Sequence, residues 1–230
     1  KIDLEKKNED FIFGVARMTG LRHPTIYELY GTDNYGYSGN KNLLSEKSIT
    51  NELYFNYNFI NNWSFASTLF KSNISDQISY SNNQYTNNKD GVDLNQEGIN
   101  SSIKYFNNNS SLNLFSNLLT TEKKNGKDQL RRPQEIYGVN FIKEYDKGKF
   151  KEISLHLDYL HYGKYLDTHS SNFSIIEMDS ANMLNLSLSR NFKGFRLFIN
   201  SKNILNEKFQ KPHGYSQNER TFNIGIKSNY

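Results

Sequence analysis

From Glu52 to Phe59 the chain alternates. Leu53, Phe55, Tyr57 and Phe59 share one side, and Glu52, Tyr54, Asn56 and Asn58 share the other. The pattern returns where Ile153, Leu155, Leu157 and Tyr159 oppose Ser154, His156 and Asp158, and again where Leu184, Leu186 and Leu188 oppose Asn185, Ser187 and Ser189. A period of two marks a β-strand with one apolar and one polar side. Ten segments read this way, roughly 9–19, 48–59, 64–80, 92–106, 110–121, 135–145, 151–162, 181–192, 195–203 and 220–230. In the last, Phe222, Ile224, Ile226 and the terminal aromatic Tyr230 share the apolar phase, with Ser228 as the exception. Residues 1–4 read as a turn ahead of the first strand.

The connections carry more information than the strands. Ile60–Trp63, Asn107–Asn109, Asp146–Phe150 and Lys193–Gly194 are tight, while Gly20–Lys47, Ser81–Gly91, Glu122–Gln134, Gly163–Ser180 and Ile204–Glu219 are long. Long and short alternate without a lapse, as they do in barrels with short periplasmic turns and long external loops. Pro24, Pro133 and Pro212 all fall in long loops, so no strand loses a ladder donor. Aromatics bracket the short turns: Phe59 and Trp63, Tyr105 and Phe106, Tyr145 and Phe150, Phe192 and Phe195, with Phe11 and Tyr230 at the ends. A periplasmic girdle has that form. The expected fold is all-β, an antiparallel up-and-down transmembrane β-barrel, whose sheet must close because lipid satisfies no open edge.

Composition agrees with that fold. Apolar residues make up 36% of the 230, yet aromatics reach 14%, and mean hydropathy is -0.78. A barrel with one greasy face reconciles these values, whereas a soluble core asks for more aliphatic residues. No run approaches the ~18–20 apolar residues of a membrane helix. Cysteine is absent, which excludes disulfides and thiolate metal sites. The net charge of +4 is mild, with basic residues crowded into Lys123, Lys124, Lys127, Arg131 and Arg132. That cluster reads first as a solvated loop and second as a contact for lipopolysaccharide phosphates. No motif supports nucleic-acid binding. The chain starts at Lys1 without Met or a secretory signal, so a fragment is expected.

Gly20–Gly31 (GLRHPTIYELYG), Gly39–Ser48 (GNKNLLSEKS) and Glu52 resemble a block of the TonB-dependent outer-membrane receptors. Arg22, Pro24, Glu28, Leu29, Tyr30, Gly39, Asn40, Asn42, Leu43, Glu46, Lys47, Ser48 and Glu52 match its pattern. His23 stands where Ala is usual, and Lys41 and Ser45 where Pro is usual. NISDQISY at 73–80, GVDLNQEG at 91–98, LRRP at 130–133, NILNEKF at 203–209 and GYSQNER at 214–220 also fit, with Glu219 in place of the usual Gly. The resemblance spans nearly the whole chain. It implies that residues 1–230 are the C-terminal ten strands of a barrel of about 22 around a plug, with the plug and the TonB-contacting segment outside the chain. It further implies a location in the bacterial outer membrane, contact with outer-membrane lipid and lipopolysaccharide, and uptake of a bulky scarce nutrient driven by TonB through that plug. The arrangement of motifs is most similar to vitamin B12 (cobalamin) receptors, with ferric-siderophore receptors as close competitors. No His lies between Pro24 and Asn42, which disfavours haem.

Candidate ligand contacts are the loop aromatics Tyr27, Tyr30, Tyr35, Tyr37, Tyr85, Tyr165, Phe209 and Tyr215, rigid amphipathic surfaces for a bulky ligand. The alternative for each is packing of loop on loop. Arg22, Pro24, Glu28, Asn40, Asn42, Leu43, Glu46, Glu52 and Arg220 are expected to be structural, and Phe222 and Tyr230 to form the terminal barrel signal. His156 and Asp158 share the polar side of one strand and read as a solvated pair rather than half of a metal or base site. Asp90 and Asp93 flank a glycine, a faint calcium signal without the full ligand spacing. A hydrolase using His161, His169 and a serine is the rival from another class, and a passive porin a third. No spacing reveals a triad, and the expectation is a transporter, not an enzyme, with no cofactor.

Overall fold

The computed structural model describes residues 1–59, 62–81, 83–87, 92–123 and 129–228. The first half holds β1 (Ile2–Lys7), β2 (Phe11–Arg22), α1 (Ile26–Tyr30), β3 (Glu46–Phe59), β4 (Trp63–Ser75), β5 (Ile78–Ser81), β6 (Gln84–Asn87) and β7 (Val92–Asn107). The second holds β8 (Ser110–Lys123), β9 (Glu135–Tyr145), β10 (Ile153–Tyr162), β11 (Tyr165–Thr168), β12 (Ile175–Met178), β13 (Ala181–Phe192), β14 (Phe195–Lys202) and β15 (Thr221–Ser228). Eleven strands form one antiparallel sheet in the order β1-β2-β3-β4-β7-β8-β9-β10-β13-β14-β15, and β5–β6 and β11–β12 are separate hairpins. Tyr230, Asp90, Lys124 and Lys127 lie outside the described residues. Among those residues, no helix is long and apolar enough to cross a membrane.

Register explains the alternation. Val15, Leu53, Leu69, Ile99 and Leu118 stand side by side across β2, β3, β4, β7 and β8. Leu114, Val139, Tyr159 and Leu184 continue the apolar face across β8, β9, β10 and β13. Leu188, Ile199 and Ile224 end it. None of these rows is roofed by a second layer: Leu69 is 49% exposed and Leu188 41%. Leaving such side chains in water forgoes about 1.5–3 kcal/mol each, so this face is built for hydrocarbon. The Leu184–Leu188 row therefore points away from the sheet, not into a packed interior.

The opposite face is polar and cross-linked. Asn113 donates to Asn140 (3.2 Å), and Asn140 and Asn185 both donate to Asp158, the latter at 3.0 Å. Four aromatics on this face lie opposite glycines on the next strand: Tyr54 over Gly14, Phe70 over Gly98, Phe115 over Gly138 and Phe198 over Gly225. A Cβ at Gly98 would meet both the Phe70 ring and the Leu118 carbonyl. The bare glycine backbone lets each ring lie flat along the wall, an arrangement that pins register.

At the short-turn rim the expected aromatics stand in three separate groups. Phe59, Trp63 and Tyr105 follow one another at ring separations of 6.4 and 4.9 Å, and Tyr145–Phe150 and Phe192–Phe195 pair at 5.7 and 4.9 Å. Phe222 lies in β15 on the apolar side, opposite Ser201.

Two expectations are corrected. Residues 1–4 do not form a turn; they open β1, in which Ile2 and Leu4 take the apolar side while Asp3 and Glu5 accept from the Tyr54 hydroxyl at 2.8 and 3.3 Å. The sheet thus has eleven strands rather than ten. The segment 64–80 is not one strand, because Asp76 adopts a left-handed backbone (φ 57°) and divides β4 from β5. Among the described residues, β1 and β15 each pair on one side only, so the wall is open as described.

Candidate functional site

The long connections gather at the rim opposite the girdle, in two clusters. In the first, Thr25 caps α1 with a reciprocal capping box: its hydroxyl accepts from Glu28 N–H at 3.2 Å, and Glu28 Oε2 accepts from Thr25 N–H at 2.7 Å. Oε1 of the buried Glu28 takes Arg22 Nη2 at 2.6 Å. Arg22 Nη1 reaches Glu46 at 3.4 Å, and Glu46 accepts from Ile78 N–H at 2.8 Å. Asn40 donates its N–H to the Glu28 carbonyl (2.9 Å) and its side-chain amide to the Tyr85 carbonyl (3.0 Å). Segment 23–45 is thereby sewn to the β5–β6 hairpin. Burial works against ionising Glu28, but the Thr25 N–H and the Arg22 guanidinium outweigh it and hold the carboxyl below its ordinary value.

Of the matched family positions, Arg22, Glu28, Asn40 and Glu46 make the contacts of this cluster, and two departures from the pattern answer each other. His23 Nδ1 and Ser45 Oγ stand 2.8 Å apart at the base of the loop. Leu43 is buried beneath the frame, Pro24 is half-buried, and Asn42 donates its N–H to Asn40 Oδ1. Glu52 lies within β3 on the polar face, opposite Phe70, and Arg220 donates its N–H to Asn206 Oδ1 at 3.1 Å.

The second cluster centres on Asp167, which is fully buried. Oδ1 takes Arg131 Nε (2.7 Å) and Thr168 N–H (2.7 Å), and Oδ2 takes His213 N–H (2.9 Å). Burial alone would raise this carboxyl; Arg131 and the two backbone donors hold it below the ordinary carboxylate value. Arg131 pays for its place with a left-handed backbone (φ 61°), while its N–H donates to the Leu166 carbonyl at 2.7 Å. Ser170 N–H donates to His213 Nδ1 at 3.0 Å, and Tyr165 hydroxyl to the Gln210 carbonyl at 3.2 Å. Three segments distant in sequence are clasped at one carboxylate. Arg131, read from the sequence as part of a solvated basic loop, is exposed as expected and also clasps Asp167 through Nε.

The proposed contact aromatics divide by exposure. Tyr37 is buried, stacked on Tyr27 at 4.8 Å and edge-on to Tyr85 at 5.8 Å, with its hydroxyl on the Tyr27 carbonyl. Tyr165 is buried in the second cluster and Tyr85 half-buried. Tyr35 (90% exposed), Tyr215, Tyr30 and Tyr27 present free ring surface. Phe209 lines a cavity of about 570 Å³ together with Met178, Asp179, Gln210, Gln217 and Glu219.

His156 is exposed and does not engage Asp158, whose oxygens take the two asparagines. Ser171 Oγ sits 3.0 Å from His169 Nδ1, but the same nitrogen also receives Ser171 N–H, and the nearby Asp167 is committed elsewhere. That geometry locks a turn and does not aim a nucleophile. Among the described residues, no group of three or more His, Asp or Glu converges. The sequence reading missed the Asp167 clasp and the glycine–aromatic pairs. It also passed over the capping box, which Thr25-Ile26-Tyr27-Glu28 does spell out.

A wall with hydrocarbon on one side, polar contacts on the other and clasped loops at a single rim belongs to the class of transmembrane β-barrels. Within that class the chain belongs to the family described as TonB dependent receptor-like, beta-barrel, whose model matches residues 13–204. The family's members are outer-membrane receptors of Gram-negative bacteria. Among solved structures, the siderophore receptor PirA from Acinetobacter baumannii superposes with a TM-score of 0.77 at 12% identity, covering 99% of this chain and 40% of that one. The pyoverdine outer membrane receptor FpvA from Pseudomonas aeruginosa PAO1 gives 0.76 at 10%, covering 97% and 34%. The copper transporter OprC gives 0.74 at 14%, covering 99% and 38%. At these identities the likeness is one of fold, and the chain spans well under half the length of each structure. Among curated proteins, none matches the sequence.

Proposed function

We propose that this chain supplies wall and external loops to a TonB-dependent receptor that captures a bulky nutrient, a ferric siderophore or cobalamin. The open edges of β1 and β15 would be unsatisfied in lipid, so the reading includes closure by further strands around a plug that TonB engages. One observation carries the capture role: Tyr30, Tyr35 and Tyr215 stand exposed on loops that two buried carboxylates hold in place. With the loop backbone held before the ligand arrives, only the two side-chain torsions of each tyrosine remain to be ordered on binding. The motif arrangement favoured cobalamin. PirA and FpvA are by name siderophore proteins, and none of the three structures above is a cobalamin receptor. The siderophore reading is accordingly the one we place first.

Equilibrium binding of ferric siderophores and of cyanocobalamin to the detergent-purified receptor separates the two ligands. Tyr30→Ala, Tyr35→Ala and Tyr215→Ala together are expected to weaken the preferred ligand at least about tenfold. Unchanged affinity for every ligand tested removes these rings from the site. Tyr37→Ala is a poorer probe, because its ring is part of the loop packing.

A further inference from the structure

His161 lies near the loop end of β10 on the apolar side of the wall, between Tyr137 of β9 and Asn182 of β13. Among the described residues it is one of the few titratable side chains that is buried (8% exposed). Its ring stacks on Tyr137 with centroids 4.3 Å apart and planes 14° from parallel. Nδ1 is 2.8 Å from Asn182 Oδ1, an oxygen that also accepts from the Tyr159 hydroxyl at 2.8 Å. A carboxamide oxygen only accepts, so Nδ1 carries the ring proton. Nε2 is then a bare lone pair, buried and without a hydrogen-bond partner. Opposite it, at 3.6 Å, is Oε1 of Glu135, whose side chain is 52% exposed. In the neutral ring two acceptors face each other with no donor between them, an arrangement that a second ring proton or a metal ion resolves.

We propose that His161 Nε2 and Glu135 Oε1 are the two protein ligands of a divalent first-row transition-metal ion, of which Zn²⁺ is the type. Water fills the remaining positions. Bonds of about 2.0–2.2 Å to imidazole nitrogen and carboxylate oxygen set two ligands about 3.4 Å apart around a tetrahedral centre. The observed separation needs little adjustment. Imidazole with one carboxylate suits a borderline ion, whereas calcium and magnesium take oxygen shells. Asn182 is a positioning residue: by accepting from Nδ1 it fixes the tautomer and aims Nε2, as outer partners do at metal-bound histidines. Half-exposed Glu135 opens the path from the external medium. The site stands on the outer side of the wall and is independent of the nutrient proposed above.

The test is calorimetric titration of Zn²⁺ into the detergent-purified receptor, with Cu²⁺ as a paramagnetic stand-in. One equivalent is expected to disappear in His161→Gln, and Glu135→Gln and Asn182→Ala to weaken it about 10–100-fold. The Cu²⁺ spectrum should show splitting from one imidazole nitrogen, lost in His161→Gln. His161 is buried, so Glu135→Gln keeps the test decisive if the histidine variant folds poorly. Equal stoichiometry and affinity in Glu135→Gln overturn the proposal, as does absence of binding in the unaltered protein. The second result would mean that Nε2 carries a proton toward Glu135, either on a doubly protonated ring or with the Asn182 amide turned to donate to Nδ1.

Discussion

Leu188, in the wall, has Leu155 and Ile199 beside it on the flanking strands and 41% of its surface uncovered. Asp167, in the loops, is fully buried and takes hydrogen bonds from Arg131, Thr168 and His213. The wall holds its shape by ladder bonds and waits for a solvent that is not water. The loops hold theirs by polar contacts around two buried carboxylates, and the contacts of the second join segments far apart in the chain. The difference teaches where each region is fragile: the wall to a charge on one face, the loops to the loss of one carboxylate.

The largest expected effect therefore separates the faces of a single strand. Leu188→Arg places a charge in hydrocarbon and should cost about 2–4 kcal/mol of stability in lipid vesicles. Ser187→Arg, one residue away on the polar face, should cost less than about 1 kcal/mol. Urea titration of the vesicle-inserted protein measures both, and equal penalties would erase the distinction between the faces.

Next in size is Asp167→Ala, which removes the buried acceptor shared by Arg131 and the half-buried Thr168 and His213 N–H groups and should destabilise the second loop cluster by about 2–4 kcal/mol. Hydrogen exchange at the His213 and Thr168 amides should quicken by a factor of 30 or more, with the amides of β10 and β13 unchanged. Quickening across the whole wall would show that the regions are not independent.

Legibility in the sequence follows the same divide. Lipid imposes one rule on every strand, so Leu53, Leu155 and Leu188 announce their face by period alone. The rule fails where its signal is thin. In β1 two apolar residues, Ile2 and Leu4, stand among Lys1, Asp3, Glu5, Lys6 and Lys7, and the strand passes for a turn. At Asp76 the phase of Ile74 and Ile78 continues through a left-handed break, hiding the change from wall to hairpin. In the loops no period exists. Arg131 and Asp167 are 36 residues apart, and nothing in either neighbourhood names the other. The first cluster was legible only through resemblance, which marked Arg22, Glu28 and Glu46 without showing that they meet. Exposure was not legible at all: Tyr35 and Tyr37, two residues apart, lie at opposite extremes.

Gly98→Ala probes the wall from its polar face. The added methyl meets the Leu118 carbonyl and the Phe70 ring, and overpacking of this kind should cost about 1–3 kcal/mol in the same urea assay. A neutral result would mean that the ring does not rest on the glycine.

The pH dependence sharpens the loop side of the comparison. Asp167 titrates below an ordinary carboxylate when folded. Its contribution is complete above the unfolded value of about 3.9 and is lost as pH falls through the lower folded value. Protection of the His213 and Thr168 amides, taken relative to the intrinsic exchange rate at each pH, should hold down to about pH 4 and fall below it. Protection already lost between pH 7 and 5 would assign the closure to another group. The smallest effect belongs to the exposed Lys164–Glu177 pair (2.8 Å), where Lys164→Gln should leave the midpoint of the same urea titration unchanged.

The central claim is that one side of each strand meets hydrocarbon. Spin labels placed singly from Leu184 to Ser189, in the receptor reconstituted in bilayers, test it residue by residue. The account predicts high oxygen and low nickel-chelate accessibility at 184, 186 and 188, and the reverse or shielding from both at 185, 187 and 189. A smooth profile without the period of two, or the opposite phase, would contradict it.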